Sequence, residues 1–84
     1  MYEVAKIKNT FKTKYPNFPV LAIWDAEKFY LVGIEIKNGN ELADGYFKVD
    51  KNNFKIDEKW GYQSNLAEFK EIIKKPAIYL KKSN

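Results

Sequence analysis

The side chains in this chain with any capacity for bond-making are its carboxylates, tyrosines, lysines, two threonines and Ser64. Among the carboxylates, Asp25, Glu27, Glu35, Asp44, Asp50 and Asp57 are the candidates for paired work. Two carboxyl groups run general acid–base chemistry when their surroundings push their pKa values apart, which requires a cleft that brings them together. A domain this small seldom offers one, and no nucleophile elbow, phosphate-binding glycine loop or dinucleotide fingerprint accompanies them. The chain has neither histidine nor cysteine. That removes the commonest general base near neutral pH, the commonest zinc ligand, and every thiolate site or disulfide. The expectation is a protein that is not an enzyme and carries no catalytic residue, metal or cofactor, with its acids solvating loops and sheet edges. No small-molecule substrate is implied.

One stretch has the oxygen density of a cation loop. "DKNNFKIDE" places Asp50, Asn52, Asn53, Asp57 and Glu58 close together. A calcium loop of the EF-hand kind needs an oxygen ligand at its fifth position and glycine at its sixth. Phe54 and Lys55 stand there instead, so the stretch reads as a tight turn between strands.

Net charge of +4 raises the question of nucleic acid. All fifteen basic residues are lysine. Arginine makes the commonest specific contact to guanine and the best bidentate grip on phosphate, and its absence argues against reading DNA sequence. The charge is also scattered: residues 1–15 carry +3, 16–43 carry −2, 44–57 are neutral and 58–84 carry +3. Lys6, Lys8, Lys12 and Lys14 project in several directions around a helix. Lys70 and Lys74 share one side of a later helix, with Lys81 and Lys82 extending them. These four are the candidate phosphate contacts of an alternative function, weak non-specific nucleic-acid binding that fades with salt as counterions compete.

The elements that position these groups follow from periodicity. Val4, Ile7, Phe11 and Tyr15 form one apolar stripe, predicting a helix over residues 2–15 that Pro16 ends. "VLAIW" at 20–24 and "FYLVGIEI" at 29–36 read as an antiparallel hairpin. In the second, Tyr30, Val32, Ile34 and Ile36 form the core face. The alternate set, Phe29, Leu31, Gly33 and Glu35, is less consistently apolar. Asn38-Gly39 signals a turn, with the loop running a few residues beyond. Strands at 45–50 and 54–57 place Phe47, Val49, Phe54 and Ile56 inward. Asn65 and Glu68 suggest a capped helix over about 66–75, ended by Pro76. "AIYL", Ala77 to Leu80, is either a short edge strand or an extended tail, and residues 81–84 are expected to fray.

The expected fold is a single α+β domain: an antiparallel sheet of three to four strands, with the N-terminal and C-terminal helices packed on one face. That arrangement leaves Phe29, Leu31 and Tyr46 on an open face, where a contiguous apolar patch marks an interface. Trp60 and Tyr62, flanking Gly61, either anchor a partner or plug the end of the sheet. These five residues are the candidate protein-binding set, for a partner protein or for self-association. No apolar run approaches the roughly 20 residues that span a bilayer, and "MYEVAKIKNTFK" lacks a signal-peptide core. A soluble, reducing, intracellular setting with no membrane partner is the expectation.

The order of elements, with "KYP" after the first helix, "WDAEKFYLVGI", "GYFKVDK" and a closing "NLAEFKEIIKKPAIYL", resembles a group of small uncharacterised proteins. These are α-β-β-β-α proteins carried by phages and mobile elements of A/T-rich Gram-positive bacteria, many with a strand ending in "VDK" before a turn. This chain departs from them in having Asn52-Asn53 where they often have a turn glycine. The resemblance implies a phage structural or accessory role, or an inhibitor that binds a host protein, in the host cytoplasm or the virion. It assigns no catalytic residues.

Overall fold

The computed structural model describes residues 3–38, 41–57 and 66–81, with backbone alone at 36–38, 41–44 and 66–68. Helix α1 spans Val4–Lys14 and turns its stripe inward, with Ile7 and Phe11 fully buried. It stops where the sequence requires. Tyr15 precedes proline and takes an extended φ of −129°, while its N–H still donates to the Phe11 carbonyl.

Four strands follow: β1 (Val20–Asp25), β2 (Phe29–Asn38), β3 (Glu41–Asp50) and β4 (Tyr79–Leu80), with helix α2 (Leu66–Ile73) between the last two. They form one antiparallel sheet in the order β3-β2-β1-β4. The fold is α+β.

Register decides which residues share a face. Ile23 pairs with Val32, Val32 with Phe47, and Tyr30 with Val49. All five are buried, and α1 covers them, with Phe11 meeting Phe47 edge-on at 5.9 Å between centroids. The alternate set pairs Trp24 with Leu31, Leu31 with Lys48, and Gly33 with Tyr46. Phe69 of α2 lies against Tyr46, 6.4 Å between centroids, and is itself fully buried. Tyr46 and Phe47 are consecutive in a strand, so they point to opposite sides.

The two helices therefore pack on opposite faces, which corrects the expectation of a single covered face. Topology supplies the reason. β3 and β4 lie at opposite edges, so the chain must cross the sheet between them, and α2 makes that crossing on the side α1 leaves vacant. The indole N–H of Trp24 donates to the Lys75 carbonyl at 3.1 Å, tying the end of α2 down. The rings of Trp24 and Tyr46, 6.3 Å apart, lie over the bare backbone of Gly33 and complete the second core face.

Three further differences concern boundaries. β3 begins at Glu41, pairing with Asn38, where a longer loop was expected. The strand expected at 54–57 is reduced to a single bridge between Val49 and Ile56. The "AIYL" segment supplies β4, paired with Ala22 and Ile23 of β1. The proposed cap at Asn65, the turn residue Gly39 and the tail from Lys82 lie outside the described residues.

The link between β1 and β2 is a two-residue turn, closed by Ala26 N–H donating to the Phe29 carbonyl at 3.0 Å. Of its central residues Glu27 and Lys28, only Glu27 has a positive φ, 69°. This is the pattern of a type II′ turn, in which the first position favours glycine. Glu27→Gly should accordingly raise stability by about 0.5–1 kcal/mol, read as a higher urea midpoint at unchanged slope.

Candidate functional site

The predicted site residues do not assemble into one surface. Leu31 has no exposed area, and Tyr46 is half-buried between Trp24 and Phe69. Phe29 is half-buried with the Lys48 ammonium 5.0 Å from its ring centroid. The open apolar face expected from these three is covered by α2. Trp60, Tyr62 and Lys82 lie outside the described residues. Lys70 and Lys74 are exposed on and just beyond α2, and Lys74 bonds Glu71 at 3.3 Å. Lys81 is exposed, and its backbone N–H closes β4 onto the Leu21 carbonyl at 2.8 Å.

A different surface emerges around the loop after β3. The Asp50 carboxylate accepts the amides of Asn52 at 2.7 Å and Asn53 at 3.1 Å, and Asn53 Oδ1 accepts the Lys55 amide at 2.9 Å. The oxygens that suggested a cation loop instead hold the turn, as Asx side chains do. Among the described residues no three potential metal-ligating groups converge.

Closing this loop leaves Phe54 with φ of 58°. Left-handed backbone is uncommon for a bulky side chain and costs on the order of 1–2 kcal/mol. The conformation turns the ring back towards α1. It stacks on Tyr30 at 6.3 Å, and the Lys6 ammonium lies 4.3 Å from its centroid, within cation–π range. Between α1 and the loop runs an open cleft of about 380 Å³, lined by Thr10, Lys14, Phe54, Lys55 and Ile56. Its floor is apolar and its rim is lysine.

Helical spacing explains how the lysines reach it. Lys6, Thr10 and Lys14 recur every four residues and form one flank of α1, while Lys8 and Lys12 form the other. The second flank borders a cleft of about 390 Å³ with Tyr15 and Phe18. There Lys8 is held over the Tyr79 ring at 4.4 Å, and Lys12 sits in the last helical turn, where a cation offsets the dipole. Both lysines have structural work on that side.

Nearby acids are also engaged. Lys51 Nζ donates to Asp25 Oδ1 at 2.5 Å, and the Glu27 amide donates to the same oxygen at 2.9 Å. The Lys51 hydrogen bond holds the Asp25 carboxyl below its ordinary value of 3.8, against a smaller opposing effect of burial and with help from the Glu27 amide. A depressed folded pKa means that the pair stabilises the fold above the unfolded value and that this contribution fades as pH falls through the folded one. In Lys51→Met the Asp25 carboxyl should titrate at higher pH, and the loss of stability on acidification should begin earlier. Carboxyl-carbon NMR titration and urea midpoints between pH 6 and 2 measure both.

No helix among the described residues is long and apolar enough to cross a membrane. The fold and this surface define a small α+β protein whose groups converge on a basic, apolar-floored cleft. Comparison with protein-family models, with curated proteins and with solved structures found no match.

Proposed function

We propose that this chain is a non-enzymatic protein-binding module that acts by surface contact, with the cleft between α1 and the 50–57 loop as its contact surface. The observation that carries this reading is Phe54: a half-buried aromatic in strained, left-handed backbone, set at the floor of a cleft rimmed by Lys14 and Lys55. Strained residues cluster at ligand-contacting positions, where the surrounding structure holds them in place. Composition agrees, since a chain without histidine or cysteine has few groups suited to catalysis near neutral pH. The resemblance to small phage and mobile-element proteins supports a structural or accessory role, or inhibition of a host protein, in the host cytoplasm or the virion.

The test is site-specific photo-crosslinking in a Gram-positive host of A/T-rich genome. A benzophenone side chain at position 55 should give a discrete protein adduct, whereas one at Ala5, on the exposed side of α1, should not. An adduct of twice the chain's mass identifies the partner as a second copy. Absence of any adduct specific to position 55 overturns the reading. Crosslinks to nucleic acid, with salt-sensitive DNA binding lost in a Lys70→Gln, Lys74→Gln variant, would establish the nucleic-acid alternative in its place.

A further inference from the structure

We infer that the partner enters the α1–loop cleft as an acidic segment bearing an apolar anchor residue, an inference that rests on the binding role proposed above. Charge complementarity is the first argument. Lys14 and Lys55 line the cleft, Lys6 overlies the ring at its floor, and no carboxylate is among the lining residues. Acids close by in sequence face elsewhere. The Asp50 carboxylate is taken up by loop amides, that of Asp25 by Lys51, and Asp57 borders the neighbouring cleft beside Phe29.

The floor selects between anionic partners. Bases of a single strand bind by stacking on open aromatic faces. Here the Phe54 ring is already stacked on Tyr30 and overlaid by Lys6, and its neighbour Ile56 is aliphatic. Such a floor suits a leucine, isoleucine or phenylalanine side chain, burying it against Phe54 and Ile56. Lysine ammoniums are point charges that pair with carboxylates without requiring the fork geometry of arginine. The cleft volume of about 380 Å³ accommodates one anchor and its flanking backbone, not a folded surface. An acidic peptide is the fitting occupant.

The probe is a fluorescein-labelled hexapeptide with two central leucines flanked on each side by two glutamates, compared with its glutamine analogue and with labelled oligothymidine. Anisotropy and amide-shift mapping are read at two salt concentrations. The glutamate peptide should shift the amides of residues 10, 14 and 54–56 and bind about tenfold more tightly than the glutamine analogue. The double variant Lys14→Gln, Lys55→Gln, checked by its thermal midpoint for retained folding, should lose that preference. Lys70→Gln should keep it. Equal affinity for the two peptides, shifts that map away from the cleft, or tighter binding of oligothymidine to the same residues would each overturn the inference. If position 55 still yields a protein adduct in cells, the binding role stands and only the partner's chemistry is wrong; if the adduct also fails, both fall.

Discussion

Replacing Leu31 by aspartate should unfold the protein. The side chain has no exposed surface and sits between Trp24 and Lys48 under α2. Removing it forfeits about 2–3 kcal/mol of apolar burial, and an unpaired carboxylate in its place adds several more. A domain of this length has stability on the order of 4–12 kcal/mol, so the two losses together consume most or all of it. Far-UV circular dichroism and amide dispersion at 25 °C should show a largely unfolded chain, while Lys28→Asp, at an exposed turn position, should remain folded. A native spectrum for the Leu31 variant would mean that the second sheet face is open.

Phe69→Ala should cost about 3–5 kcal/mol, the range for a fully buried phenylalanine, and Phe11→Ala about the same. Urea unfolding gives each value. The informative experiment pairs the milder changes Phe11→Leu and Phe69→Leu. Phe11 contacts Tyr15 and Phe47 on one side of the sheet, whereas Phe69 contacts Tyr46 on the other. Residues without shared partners add within about 0.5 kcal/mol, so the double variant should lose close to the sum of the single losses. Strong coupling between them would place both helices on one face.

That arrangement is the part of the fold the sequence hid. The stripe Val4–Ile7–Phe11–Tyr15 and the stop at Pro16 were plain in the spacing, as were the strands around Ile23, Val32 and Phe47. On the second face, Gly33 and Glu35 interrupt the alternation of β2, so this strand alone suggests a wet surface. Its apolar cover comes instead from Trp24, Tyr46 and Phe69, on three other elements, and only register unites them. The early start of β3 is a tertiary effect too. "ELAD" has weak strand preference, but pairing with Lys37 and Asn38 of β2 extends the ladder through it.

The candidate cleft was less legible still. Lys14 and Lys55 are far apart in the chain, and nothing in their local sequence places them across from each other. The lysines of α1 were rightly read as pointing several ways, yet their division into two flanks matters only once the loop is docked beside one of them. Phe54 looked like an inward residue of a regular strand. Its left-handed backbone follows from closing the loop between Asp50 and Lys55, which no alternation pattern reports.

The placement of β4 beside β1 carries a consequence for biogenesis. During translation the meander of β1, β2 and β3 leaves the ribosome first, and α1 can settle on it at once because every contact it needs is already made. The outer rim of β1 and the side carrying Leu31 and Trp24 must wait until residue 80 has emerged. A nascent chain is therefore adhesive in a way the finished molecule is not, with an unpaired rim and a bare apolar sheet side together. Its exposure to misassembly lies in the interval before the last strand docks, and delaying or trapping that segment should promote aggregation more than weakening any part of α1.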